Sequence, residues 1–196
     1  MKIYNMEQGS KEWIEIRKGK MTASHATAIG NCGKGLDSYI MQILAEKHSS
    51  GEVDYYTNKE MERGNELESS ARAMYELENG VEIQQVGFVE YNEFVGCSPD
   101  GLISDNAGVE IKCPNDLNYF KILVGGEKEI SSEYIWQIQM TLLVTQRYEW
   151  KLVYYNPNFK KSMIVFTILP DAKKHAQLIE GFRIGEEKIK LIEKSL

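Results

Sequence analysis

"CSPDGLISDNAGVEIKCP", residues 97–114, is the stretch on which the fold turns. Its run Val109, Glu110, Ile111, Lys112, Cys113 alternates apolar and polar side chains, which is the period of a β-strand. Val109, Ile111 and Cys113 then face one side, and Glu110 and Lys112 face the other together. Pro114 cannot donate to a sheet ladder, so the strand ends there. Upstream, Phe94, Val95, Gly96 and Cys97 read as another short strand. Between the two, residues 104–108 are dense in turn formers. The simplest arrangement is an antiparallel hairpin of these strands, which brings Asp100 beside Glu110 and Lys112.

Two carboxylates and an ammonium on one sheet face suit a hard divalent cation. Mg²⁺ takes oxygen ligands and commonly uses one or two carboxylates together with substrate phosphate oxygens. Lys112 then positions a water or stabilises charge on a phosphoryl oxygen. The competing reading is a salt bridge on an exposed strand face, which is common and worth little. The full spacing is Pro99-Asp100, nine residues, Glu110, one apolar residue, Lys112. That is the pattern of the PD-(D/E)xK nucleases, and on its own it is moderately specific.

At 196 residues the chain has the length of a single domain, 1–196, with residues 171–196 read as a C-terminal helical extension. Hydrophobic residues make up 42% and charged residues 27% of it, an ordinary globular balance. No apolar run reaches the length of a membrane span, and the start lacks the apolar core of a signal peptide. The expectation is a soluble, cytoplasmic protein. Cys32, Cys97 and Cys113 contain no CxxC pair and point to reduced thiols. Three cysteines are also too few for a four-cysteine iron–sulfur cluster. Net charge is −6, but it is unevenly spread: residues 1–30 carry five basic and three acidic side chains, 46–90 four and eleven, 146–196 ten and six. Basic ends around an acidic middle leave room for local positive surface, so net charge alone does not exclude a nucleic-acid partner.

The remaining elements follow from periodicity and caps. Residues 10–18 read as a short helix capped by Ser10, and 21–30 as a turn into a second helix capped by Thr22 or Ser24. A third helix spans 36–48. The longest runs over 58–79, with Met61, Gly64, Leu67, Ala71, Met74 and Tyr75 on its apolar stripe, Glu62 and Glu66 opposite, and Glu68 at the edge. Asn79-Gly80 stops it. A strand over 81–91 leads into the hairpin. Residues 116–126 read as a helix, and 131–146 as a helix apolar nearly all round, hence buried. Residues 148–156 and 162–169 alternate as paired strands, and an amphipathic helix follows from Asp171. Its Leu178, Ile179, Phe182 and Ile189 suit either an interface or the core. The order predicts an α/β (α+β) fold with a mixed central sheet flanked by helices. His25, His48 and His175 read as structural or surface residues, and Trp13, Trp136 and Trp150 as core.

Four motifs in order, "W..IRKGKMTAS" from Trp13, "RGNELESSAR" from Arg63, the stretch 97–114 and "YIWQIQMTLLVT" from Tyr134, make the chain resemble the lambda-type alkaline exonucleases. These are the YqaJ-like viral recombinase nucleases within the PD-(D/E)xK group, with a restriction-endonuclease-like core. The resemblance runs from about Trp13 to about Pro157. It implies a Mg²⁺-dependent enzyme, with Mn²⁺ able to substitute, that digests one strand of linear double-stranded DNA from the 5′ end. It further implies two metal ions, a ring-shaped homotrimer, a single-strand annealing protein as partner, and a phage or prophage setting. By the same resemblance Asp100 and Glu110 match metal-binding carboxylates, and Ile111 matches a position whose carbonyl also ligates metal. Lys112 matches the lysine that orients the attacking water. Glu68 matches a helix-borne acid reaching the metal site, and Gln137 a buried active-site glutamine, with Gln139 as the alternative. Ser98 matches a serine near the scissile phosphate, and Arg17 and Ser24 match residues that hold the 5′-phosphate. A structure- or site-specific endonuclease on the same fold is the second reading, and a catalytically inactive DNA-binding module the third.

Overall fold

Six residues of unbroken strand, Ala107–Lys112 (β7), form the inner rail of the structure. The computed structural model describes residues 1–50 and 59–196. Strand β7 is paired on both sides. Gly101–Ile103 (β6) runs antiparallel to it, with Gly101 opposite Val109, and Glu149–Tyr155 (β8) runs parallel, with Lys112 opposite Tyr154. Ile83–Gln84 (β3) and Met163–Ile168 (β9) complete a five-stranded mixed sheet in the order β3-β6-β7-β8-β9. A second mixed sheet joins Lys2–Tyr4 (β1), Phe88–Asn92 (β4), Val95–Cys97 (β5) and Met21–Thr22 (β2) in the order β1-β4-β5-β2. The expected α/β class holds, with its strands divided between two mixed sheets.

That division corrects the hairpin. The antiparallel partner of β7 is β6, whereas Val95–Cys97 pairs with β4 and β2. The turn at residues 104–106 is tight, with Ser104 at φ +46°, so only the residues flanking it reach register. Pro99 and Asp100 carry the chain from one sheet to the other. The strand expected over 81–91 is also split, because the chain changes sheets at Gln85–Gly87. Gly87 donates to the Tyr4 carbonyl at 3.0 Å, and a Cβ there would come within 2.5 Å of the Met6 carbonyl oxygen.

Helices cover both faces of the five-stranded sheet. Val109, Ile111, Val153 and Tyr155 pack against Ala71 and Tyr75 of Lys59–Asn79 (α4). The start of the expected 58–79 helix, and its Met61 and Glu62 side chains, lie outside the described residues. On the opposite face Leu152, Tyr154 and Trp150 join the larger core with Ile138, Met140 and Leu142 of Ser132–Thr145 (α6). The remaining helices are Lys11–Arg17 (α1), Ala26–Asn31 (α2), Lys34–His48 (α3), Asp116–Gly125 (α5) and Ala172–Glu193 (α7). Ser10 caps α1 as expected, accepting from the Trp13 N–H at 3.3 Å. Neither Thr22 nor Ser24 caps α2: a 3-10 turn, Ala23–His25, intervenes and places His25 at the cap position.

Helix α7 spends most of its apolar face on the core. Leu178, Phe182 and Ile189 are buried, and only Ile179 of the four apolar residues singled out in the sequence is exposed, at 52%. Those three are therefore not available to an interface. Trp150 is fully buried, while Trp13 and Trp136 are only half-buried.

Candidate active site

Strand alternation puts Glu110 and Lys112 on one face of β7, and α6 covers that face through Gln137 and Tyr134. Glu110 is 2% exposed, and its Oε1 accepts from Lys112 Nζ at 2.7 Å and from Gln137 Nε2 at 2.6 Å. Asp100 sits just before β6, where Gly101 opposes Val109. Its Oδ2 accepts from the Ile111 N–H at 2.7 Å. An extended residue sends its N–H and C=O to the same side, so the Ile111 carbonyl also turns toward Asp100.

The electrostatics follow from this crowding. Burial, and then the neighbouring Glu110 charge, push the Asp100 carboxyl well above its ordinary value. For Lys112, burial pulls the ammonium down, but Glu110 and Asp100 outweigh it and hold the value above normal. Burial also raises Glu68, with Arg72 opposing and Glu110 adding to the shift. Asp100, Lys112, Ile111 and Glu68 line one cavity of about 650 Å³. Glu110 and Gln137 stand behind the Lys112 wall of it.

Glu68 is turned along its own helix, one turn down, into an ion pair with Arg72. The two candidate glutamines separate cleanly. Gln137 is half-buried and reaches Glu110. Gln139 is the buried one, and it is occupied elsewhere: its Nε2 donates to the Leu169 carbonyl at 2.8 Å, and its Oε1 accepts from the Asp171 N–H at 2.7 Å. Gln139 therefore ties the start of α7 to α6.

Arg17 and Ser98 meet directly. Ser98 Oγ accepts from Arg17 Nη1 and from Trp13 Nε1, both at 2.9 Å, and the Arg17 guanidinium lies 4.1 Å from the centre of the Trp13 ring. Ser98 is two residues before Asp100 in the chain, while Arg17 lines a separate, smaller cavity. Ser24 is set apart from this cluster, exposed, with Oγ 3.3 Å from Thr22 Oγ1 and 3.2 Å from His25 Nδ1. Thr22, His25 and Arg17 line the smaller cavity, of about 150 Å³, with Lys18 and Lys20. His25 is stacked on Tyr39, with ring centres 4.0 Å apart, and burial lowers its pKa.

Among the other residues that line the large cavity, four that were not singled out from sequence make specific contacts or depend on strand register. Arg63 donates to the Cys113 and Pro114 carbonyls at 3.0 and 3.1 Å, and Gln8 to the Pro99 carbonyl at 2.9 Å. Tyr134 places its ring centre 4.8 Å from Lys112 Nζ. It lies three residues before Gln137, a helical spacing that puts both on one face of α6 and that was legible in advance. Tyr154 owes its place to the β7–β8 register, which no local pattern reveals.

The donor chemistry at Asp100 and Glu110 fits a hard divalent cation. Both are oxygen donors, a backbone carbonyl adjoins them, and the Glu110 charge that adds to burial in raising Asp100 is what a cation would offset. Among the described residues, however, no group of three or more His, Cys, Asp or Glu side chains is assembled to hold a metal ion. Glu68, paired with Arg72, does not complete such a set. No helix among the described residues is long and apolar enough to cross a membrane.

Comparison with known proteins identifies the family and the fold. The family model for the YqaJ-like viral recombinase domain matches residues 12–148. Uncharacterized protein R354 of Acanthamoeba polyphaga mimivirus is 29% identical over 161 residues, covering 74% of this chain and 28% of that protein. The chain thus spans little more than a quarter of that relative's length. Among solved structures, the alkaline exonuclease LHK-Exo from Laribacter hongkongensis, seen also in complex with dAMP, superposes with a TM-score of 0.80 at 27% identity, over 95% of this chain and 97% of its own. A phage-related exonuclease from Haemophilus somnus 129PT has a TM-score of 0.70 at 14% identity, over 93% of this chain and 99% of its own, which shows the shared fold.

Proposed function

The chain belongs to the YqaJ-like viral recombinase domain family, and from that premise we propose that it is a DNA nuclease, a divalent-metal-dependent exonuclease that degrades one strand of linear double-stranded DNA from the 5′ end. The products are 5′-mononucleotides and a 3′ single-stranded tail suited to recombination. The observation that carries this reading is that Asp100 and Lys112 line the large cavity together, with Glu110 bonded to Lys112 just behind them. LHK-Exo, similar over nearly its whole length, is an alkaline exonuclease.

Asp100, Glu110 and the Ile111 carbonyl would hold the cation, with Mg²⁺ the expected ion and Mn²⁺ a substitute. When bound, it supplies charge stabilisation at the phosphate and acidifies a coordinated water. Gln137 fixes the rotamer of Glu110 by its hydrogen bond. Lys112, kept charged by Glu110 and Asp100, orients the attacking water. A second ion requires Glu68 to leave Arg72. Arg17 and Ser98, already in contact, receive phosphate oxygens of the 5′ end, since a guanidinium can donate two parallel hydrogen bonds to a phosphate. Ser24 serves the same end from the neighbouring turn. The working form is a homotrimer encircling DNA in the cytoplasm of a phage-bearing bacterial cell, acting with a single-strand annealing protein.

The test is purified protein with Mg²⁺ on 5′-phosphorylated linear duplex and on closed circular duplex. The linear substrate is digested, the circle is spared, and a chelator stops the reaction. Cleavage of the circle would replace this reading with an endonuclease.

A further inference from the structure

We infer that Tyr154, through its hydroxyl, is a positioning residue for the Lys112 ammonium. This rests on Lys112 being the lysine of the nuclease site, as proposed above. Tyr154 and Lys112 are direct partners across the parallel β7–β8 pair, so their side chains leave the sheet on the same face as neighbours. Both line the large cavity, and Tyr134 lies over Lys112 from α6.

Tyr154 is 2% exposed, and among the described residues its buried hydroxyl has no hydrogen-bond partner. A buried hydroxyl without a partner is costly, and natural cores rarely keep one without a use. The ring accounts for packing by itself, edge-on to Phe166 at 6.1 Å, and a phenylalanine would pack equally well there. The hydroxyl is the part left to explain. Burial raises its pKa and the nearby Lys112 charge opposes that rise, so the phenol stays neutral, with lone pairs available to accept.

Lys112 supplies the matching need. Its ammonium has three donors, of which one goes to Glu110 Oε1. That oxygen belongs to a carboxylate expected to turn to a cation, which competes with Lys112 for it. A neutral acceptor on the adjoining strand holds the ammonium at the cavity wall when Glu110 turns away. Tyr154 is such an acceptor, and it adds no charge to a site already rich in carboxylates.

The experiment compares wild type, Tyr154→Phe and Lys112→Ala by three measurements. These are thermal unfolding without metal, kcat and KM on 5′-phosphorylated linear duplex with Mg²⁺, and the Lys112 side-chain ammonium resonance by NMR with Mg²⁺ bound and no DNA, assigned by its loss in Lys112→Ala. For Tyr154→Phe we expect an unfolding temperature at or above wild type, because no hydrogen bond is lost. We expect kcat to fall about 10-fold at unchanged KM, and the Lys112 resonance to move. An unchanged resonance or unchanged kcat overturns the inference. A raised KM at constant kcat overturns it in favour of a DNA contact, and a lowered unfolding temperature in favour of a packing role. Full activity in Lys112→Ala would instead remove the site reading beneath it.

Discussion

Asp100 stores electrostatic rather than steric tension. Its carboxylate is tied to the Ile111 N–H, yet burial and Glu110 both disfavour its charge. Asn at this position keeps the acceptor and removes the charge. Asp100→Asn should therefore raise the unfolding free energy of metal-free protein by ~0.5–2 kcal/mol while lowering nuclease turnover by at least ~10²-fold. Chemical denaturation in chelator, beside a duplex digestion assay, measures both; a destabilised or active Asn variant would contradict the account. Arg17 is the other residue where geometry makes a sharp claim. It stands on Trp13 and donates to Ser98, which pre-sets the guanidinium before any phosphate arrives. Wild type should digest 5′-phosphorylated ends faster than 5′-hydroxyl ends, and Arg17→Ala should slow digestion and shrink that preference. Equal preference in the variant would move the 5′-end pocket elsewhere.

Among the elements, α7 is held where the sequence least suggests it. Gly181 lies so close to α2 that a Cβ would come within 2.1 Å of the Ile29 carbonyl oxygen. Helix propensity alone favours Gly181→Ala by up to ~1 kcal/mol. Overpacking against a rigid backbone opposes it by ~1–3 kcal/mol, so the substitution should destabilise on balance. Leu178→Ala, at a fully buried position on the same helix, should cost ~2–5 kcal/mol. Urea midpoints for the two variants check both signs. An α7 that behaved as a detachable appendage would leave the midpoint unmoved in each case.

For the whole molecule, the question is how the proposed exonuclease, with a net charge of −6, would stay on DNA. Phosphate attraction alone weakens steeply with salt, whereas a closed ring holds its substrate without depending on contact strength. A homotrimer is the expected assembly, formed by head-to-tail interfaces that close. Light scattering at micromolar protein should give three times the chain's 22.5 kDa, and a monomer mass in a preparation that remains processive would rule out the ring. Its apolar contacts must come from surfaces other than Leu178, Phe182 and Ile189, which the core already uses.

Local periodicity was enough for most of this. Alternation over 109–113 marked β7, although its first two residues read as turn formers and it ends at Lys112, and it gave the shared face of Glu110 and Lys112, because side chains in a strand have no other way to point. Caps and apolar stripes likewise marked α1, α3, α6 and α7 to within a few residues. Which strands share a sheet was decided only by tertiary structure. Val95–Cys97 and Gly101–Ile103 read alike as short apolar runs, and only packing places one in each sheet. The same holds for side chains whose role depends on a distant partner. Nothing near Glu68 in sequence tells whether it turns to the carboxylates or to Arg72, and nothing near Tyr154 tells that Lys112 stands opposite. Nor does local sequence tell which of Gln137 and Gln139 reaches Glu110. A strand's or helix's own period fixes a side chain's direction, but what waits in that direction is set by elements far away in the chain.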